Sequence, residues 1–396
     1  MEMRKELANV SKRGNSYQIR VSCGYSNDGK QNMRCKTWTP DLSMTPRQIQ
    51  KELENQVYIF EKSCNQGQES SFIKFSTFSD QWFEEYAKLN LRSTTRERIK
   101  QLQKRVYDYM GNLYIGKISV RAVQNFINYL ALDAKSENTG KHLSRKTVIH
   151  YLSFISDVFS YAIRLGILTD NPCKNVIIPK NLDGKKEKKV YSVEETITFL
   201  KLLDQFAPLK YVTFFKLLIY GGLRRSEALG LEWKDIDFEN KIISIRRTSN
   251  YTAEKGVYTD KTKTKSSERT LQLPEDVFSS LLKYRYEQKQ TQKELGSKWI
   301  DYDRLFVKWN GLPMNNQTPY GWLKEFCGVY KFPFYGLHTF RHLNASLLIN
   351  AGVDVVAVSS ALGHSQVSTT LNIYSHAFSD MKSKTCKAIS ESLKLK

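Results

Sequence analysis

The hydrophobic period of this chain changes twice along its 396 residues, and each change falls at a short polar stretch. Residues 8–40 alternate: Tyr17, Ile19 and Val21 take one side of an extended segment and Gln18, Arg20 and Ser22 the other, the two-residue repeat of a strand. From about 75 to 175 the repeat is helical. In SRKTVIHYLSFISDVFSYAIRLGIL (144–168), Val148, Leu152, Ile155, Phe159 and Ala162 recur at three- and four-residue steps, an apolar stripe that belongs in a core. Beyond 190 both periods occur, with helices at 192–205 and 208–221 and strands at KIISIRR (241–247) and TLQLP (270–274). No single sheet or bundle satisfies such a chain. It predicts a multidomain protein, mainly α with small β-sheets, divided into 1–66, 72–180 and 190–396. The stretches CNQGQESS (64–71) and NLDGKKEKKV (181–190) read as the linkers, from their turn residues and charge.

In the first segment SNDG (26–29) carries the Asp-Gly signal of a tight hairpin. The return strand puts Arg34, Lys36 and Trp38 on one face. A helix should follow from Thr45, with Pro46 at its first position and Leu53, Val57 and Phe60 on its apolar side. A small sheet with a basic face, buttressed by one helix, suits the DNA major groove. Arg20, Arg34 and Lys36 are its candidate contacts; an ordinary solvated face is the alternative. In the second segment Asp80-Gln-Trp-Phe is predicted to open a helix, and STTRERIKQLQKRVYDYM (93–110) to form a basic one. Arg145 and Lys146, at the start of the 144–168 helix, are placed to meet phosphates.

Charge supports that direction. Lys and Arg outnumber Asp and Glu by 61 to 40, a net of +21. The excess is spread: 11 to 7 in residues 1–66, 17 to 10 in 67–180 and 33 to 23 in the remainder. Each part could face a polyanion by itself. The longest apolar run, YVTFFKLLIYGGL, is broken by Lys216 and is too short for a membrane span. The start MEMRKELANVSKRG has no apolar core after its charges, unlike a secretory signal. Six scattered cysteines suit a reducing cytoplasm and neither a disulfide frame nor a cysteine zinc site.

The stretch LHTFRH (337–342) sets two opposed chemistries side by side. His338 and His342 stand four apart, the spacing of a zinc grip, but the position after the first histidine is Thr339 where a metalloprotease needs glutamate. Arg341 adds a fixed positive charge in the same turn, which disfavours a dication and favours a phosphate. Upstream, GGLRRSEALGL (221–231) places Arg224 at a helix start, with Glu227 three residues on to hold its guanidinium. Downstream, LGHSQVSTTLNIYSH (362–376) supplies His364 and Tyr374. Between them DKTKTKSSERT (260–270) is a lysine-rich turn joining two strands. There is no GxxxxGK[ST] nucleotide loop.

The order GxRxxE, KTKxSxR, HxxRH, then LGH followed by TTLxxYxH resembles the tyrosine recombinases, most nearly the integrases of temperate phages and conjugative transposons. The resemblance covers the whole chain. It implies an N-terminal three-stranded sheet plus helix that binds arm-type DNA, a helical SAM-like core-binding domain, and a mixed α+β catalytic domain. It implies a site-specific integrase that cleaves and rejoins strands through a 3′-phosphotyrosyl intermediate, with no cofactor, ATP or metal. Tyr374 would be the nucleophile. Arg224 and Arg341 would clamp the scissile phosphate, His338 and His364 would bond its oxygens, and Lys263 would be the general acid, with Lys261 and Lys265 as close alternatives. Glu227 and His342 would support them from behind, and His376 would sit at the helix surface. Arg225 doubles the first arginine, and Leu343 replaces a small polar residue. The implied partners are double-stranded DNA at core-type and arm-type sites, three further copies in a homotetramer, a DNA-bending host factor and an excisionase; a membrane is not among them. The implied location is the bacterial cytoplasm, at the nucleoid. The tail after Tyr374, with Met381, Ile389 and Leu393 along one side, would dock on a neighbouring subunit or its own domain. A replicon resolvase, a type IB topoisomerase-like enzyme and a DNA-binding regulator with an inactive recombinase fold are the alternatives.

Overall fold

The computed structural model describes residues 8–25, 31–41, 43–137, 139–180, 189–261, 267–368 and 370–371, in two units, 1–186 and 187–396. In the first, β1 (Ala8–Arg13), β2 (Ser16–Tyr25) and β3 (Gln31–Trp38) form an antiparallel sheet in that order. Gly14 makes the first turn at φ +59°, a left-handed conformation that glycine adopts without strain. The Asp-Gly turn expected at 26–29 lies outside the described residues. Helix α1 (Pro46–Ser71) starts as the sequence predicts: the Thr45 amide and hydroxyl both donate to Gln48 Oε1 at 2.9 Å. Its Leu53, Val57 and Phe60 pack on Ile19, Val21, Tyr17 and Trp38. The linker expected at 64–71 is instead the end of α1. That stretch is polar, but it has no proline, and one glycine costs a helix only about 1 kcal/mol.

The register corrects the expected DNA face. Lys36 pairs with Ile19 and Arg34 with Val21, whereas Arg20 pairs with Cys35. Directly paired residues share a face, so Lys36 and Arg34 lie on the side that α1 covers. Lys36 Nζ donates to Gln56 Oε1 of α1 at 2.8 Å. Arg20 lies on the other, open side, with Asn9, Ser11 and Gln18. The three basic residues do not form one surface.

The helical part comprises α2 (Phe75–Trp82), a π-turn at 83–87, α3 (Lys88–Asn90), α4 (Ser93–Met110), α5 (Val120–Leu132) and α6 (Arg145–Arg164). Asp80 does not open a helix. The chain turns helical at Phe75, whose amide donates to Leu113 O at 2.8 Å, so a tertiary pairing sets the start. Asp80 accepts from the Tyr107 hydroxyl at 2.7 Å. Ser119 and Ser144 cap α5 and α6. The α6 stripe is core as expected: Val148, Ile155, Phe159 and Ala162 are fully buried beside Phe75, Phe78 and Phe126.

In the second unit α7 (Val193–Phe206) begins with a Ser192–Glu195 capping box, and α8 (Leu209–Gly221) is buried on nearly every side. The lysine that interrupts its apolar run, Lys216, is 4% exposed and bonds Asp204 and Asp276 at 3.0 Å each. Then come α9 (Arg225–Ala228), β4 (Ile236–Asp237), β5 (Ile242–Ile245), β6 (Arg247–Thr252), β7 (Gly256–Lys261) and β8 (Arg269–Gln272). They are followed by α10 (Glu275–Leu295), α11 (Thr318–Val329), α12 (His338–Asn350) and α13 (Val355–Leu362). Strands β4, β5 and β8 make one antiparallel sheet, and β6–β7 is a separate hairpin that the sequence did not announce. The lysine-rich turn therefore joins strands of two different sheets. No helix among the described residues is long and apolar enough to cross a membrane.

Candidate active site

Two glycines with left-handed backbones organise the site. Gly222 ends α8 at φ +58° and Gly363 ends α13 at φ +64°. A glycine in this conformation is the usual way to stop a helix, and each presents its carbonyl to an arginine from another motif. Arg341 donates from Nη1 to Gly222 O at 2.8 Å and from Nη2 to Leu362 O at 2.6 Å. Arg224 donates from Nη2 to Gly363 O at 3.1 Å.

Glu227 closes the circuit. Its carboxylate, 1% exposed, accepts from Arg224 Nη1 at 2.6 Å and from Arg269 Nη2 at 3.0 Å. Burial pushes this carboxyl up, but Arg269 and Arg224 together outweigh it and hold it below the usual range. Arg269 also donates from Nε to Ala361 O at 2.6 Å. The four motif blocks are thus tied to one another by charged hydrogen bonds across more than 100 residues of chain. Arg269, the arginine of the KTKxSxR block, is thus a support equal to Glu227.

Helix α12 explains how HTFRH faces the cleft. Phe340 is fully buried and stacks on Tyr191 and Phe199 at 5.0 and 5.1 Å. That anchor turns His338 and Arg341, three apart, to the opposite side. A cleft of about 520 Å³ runs past His338, lined by Lys189, Tyr335, His338, Thr339 and His342. His342 borders it one turn after His338.

The surroundings of His338 and His364 both favour the neutral ring. Desolvation lowers His338 first, then the charges of Arg341, Arg225 and Arg224. Burial, Arg341 and Arg224 push His364 down to about 4. His364 Nδ1 lies 2.8 Å from Thr370 Oγ1; if the hydroxyl donates there, the ring proton is left on Nε2. Among the described residues no three His, Cys, Asp or Glu side chains gather as a metal-binding group. Tyr374, His376, Lys263 and Lys265 lie outside the described residues, as does the tail with Met381, Ile389 and Leu393. Lys261 is the last residue of β7.

In the helical unit, Arg145 and the exposed Lys146 form the first turn of α6. His150, one turn on, is depressed by burial and by Arg98 and Lys146. Arg98, from the basic helix α4, thus joins Lys146 in one positive patch, a neighbour the sequence reading did not name.

The chain belongs to the phage integrase family, which residues 182–381 match, and residues 74–178 match the phage integrase SAM-like domain. It is a tyrosine-type site-specific DNA recombinase, a DNA strand-transferring enzyme whose partner is DNA. It is 31% identical to a XerC-like tyrosine recombinase of Caldanaerobacter subterraneus, over 72% of this chain and 75% of that one. It is 30% identical to the ICEBs1 integrase of Bacillus subtilis, over 70% and 72%. Its fold is similar to the Tn1549 transposon integrase in complex with circular intermediate DNA (TM-score 0.65, 22% identity, 80% of this chain and 99% of that one). A lambda integrase dimer bound to a core site also resembles it (TM-score 0.54, 14% identity, 94% and 96%).

Proposed function

We propose that this recombinase integrates and excises a mobile element through a covalent 3′-phosphotyrosine on Tyr374. The observation that carries the reading is the clustering of Arg224, Arg341, His338 and His364, in which Glu227, paired with Arg224 and Arg269, is the carboxylate that faces them among the described residues. A phosphodiester under attack gathers negative charge on its equatorial oxygens, and two preorganised guanidinium groups stabilise it without a metal. His338 would take the phenol proton, since an unperturbed tyrosine near pKa 10 must lose it on attack. His364 would donate from Nε2 to a phosphate oxygen. Lys263 would protonate the departing 5′ oxygen. One ester replaces another, so the step is reversible and needs no ATP.

In this reading residues 1–66, 72–180 and 190–396 bind arm-type DNA, bind core-type DNA and cleave. The open sheet face with Arg20 supplies arm contacts, and Arg98, Arg145 and Lys146 meet core-site phosphates. Four copies act together at the bacterial nucleoid, with a bending host factor and an excisionase setting direction. The test is a nicked core site taken from the element's own junctions with its host. A protein–DNA adduct stable to denaturation is expected, without added metal. Its absence on authentic junctions would remove the reading.

A further inference from the structure

Between the arginine clamp and the lysine-rich turn lies a buried polar knot that the chemistry above does not use. Arg304, 4% exposed, sits on a segment bridged to Glu232 in antiparallel fashion. Its Nη1 donates to Gly230 O, at the end of the segment that carries Arg224 and Glu227. Its Nη2 donates to the Thr259 hydroxyl on β7. The Glu232 carboxylate stands 3.8 Å from its Nε and also pairs with Arg247, at the root of β6, at 3.0 Å. Arg247 meets Asp235 as well. Gly230 lets the two segments close up: a Cβ there would lie 2.7 Å from Arg247 O. Asn316 adds a bond to Ser249 O at 2.9 Å.

These ties matter because β6–β7 is a two-stranded hairpin outside the β4–β5–β8 sheet. Such a ribbon has little stability or fixed direction alone. Thr259 lies two residues before Lys261, where β7 ends, and four before Lys263. A general acid must come within hydrogen-bond reach of the leaving oxygen while the phosphate is held elsewhere. β7 leads into the 261–265 stretch, and its tie to the Arg224 segment runs through the hairpin root.

We infer that Arg304 is a positioning residue for the proton-donating step: its guanidinium fixes β7, the strand that leads into the 261–265 stretch, to the segment that carries Arg224. The inference rests on a lysine of the 261–265 stretch being the general acid. As the P–O bond breaks, the lysine ammonium passes its proton to the 5′ oxygen, which leaves as a hydroxyl. If that oxygen is replaced by sulfur, the group leaves as a thiolate and needs no proton.

The experiment compares single-turnover adduct formation on two nicked core sites, one with an ordinary 5′-oxygen linkage and one with a 5′-bridging phosphorothiolate. Thr259→Val should slow cleavage of the oxygen substrate by up to about a hundredfold, the scale of a 1 Å misplacement, and leave the sulfur substrate nearly unchanged. Thr259→Ser, which keeps the hydroxyl, should behave as the unaltered protein. Arg304→Lys, which loses the fork, should repeat the valine pattern if its melting curve shows it folded. Equal losses on both substrates, or no loss on either, would overturn the inference. Alanine at Lys261, Lys263 and Lys265 in turn separates the two failures. If none is selective for oxygen, the general-acid reading falls and takes the inference with it. If one is selective while Thr259→Val is not, only the role of Arg304 falls.

Discussion

Arg341 donates to the carbonyl of Gly222 at 2.8 Å across 119 residues of chain. That bond fixes one guanidinium of the clamp relative to the start of the segment carrying the other. Glycine is required at its far end: an added Cβ would lie 2.7 Å from Asn344 Oδ1 and 2.9 Å from Leu362. Gly222→Ala should therefore cost about 2 kcal/mol or more, from left-handed strain and the forced shift of Asn344. Denaturant unfolding measures it. A cost under about 0.5 kcal/mol, the range of an ordinary surface change, would mean that the cap is not the constraint described.

Tyr374→Phe should abolish the covalent adduct and leave core-site affinity nearly intact, read by denaturing gel and by mobility shift. Tyr335, whose phenol lines the cleft among the described residues, is the control. Its hydroxyl donates to Glu195 at 3.4 Å, and desolvation and that carboxylate raise its pKa, making it a poor nucleophile. Tyr335→Phe should keep the adduct.

Arg341→Lys retains the charge and loses the fork. Cleavage should fall by about 10²–10³-fold, the loss seen when one preorganised donor leaves an anion site. Stability should fall as well, by roughly 1–3 kcal/mol for the two buried carbonyls left behind. Single-turnover kinetics and thermal melts, run on the same preparation, give the two figures.

His364 has a folded pKa of about 4 against an ordinary 6.5. A base with a depressed folded pKa binds fewer protons folded than unfolded between those values. Its contribution is therefore whole above pH 6.5 and is lost as pH falls toward 4. The full shift is on the order of 3 kcal/mol. Unfolding free energy measured from pH 7 to 4 should decline through this window, and His364→Gln should flatten the slope. A variant that keeps the slope would assign it to other groups.

The N-terminal sheet offers a contrast between two cations that the sequence placed together. Arg20→Ala should weaken arm-site binding and lower the salt slope by about one. Lys36→Ala should leave DNA affinity nearly unchanged, because its ammonium is bound to Gln56 beneath α1. Deleting residues 1–66 should spare cleavage of short core sites and impair integration into full ones.

What the sequence disclosed follows from where the physics is local. The α6 stripe, the Thr45-Pro46 helix start and the four motif blocks are readable because period, cap and charged side chains lie within a turn or two. Alternation sets Arg20 opposite Ile19 and Val21, and Arg34, Lys36 and Trp38 on one face, as the register has them, but it does not say which face a helix will cover. The stretch 64–71 differs from its expectation because polar residues resemble a linker yet do not by themselves stop a helix. Arg304 was invisible: DYDRLFV carries no motif, and its partner Thr259 is 45 residues away. Arg269 was visible in its motif, yet its task depends on Glu227 and Ala361 arriving from either side.

The carbonyls that seat Arg224 and Arg341 include those of Leu362 and Gly363, the second of them 139 residues beyond Arg224. Until that stretch folds back, neither guanidinium has its full set of bonds. A partly unravelled polypeptide would thus keep the basic surfaces with which to hold a polyanion while losing the arrangement proposed to cut one.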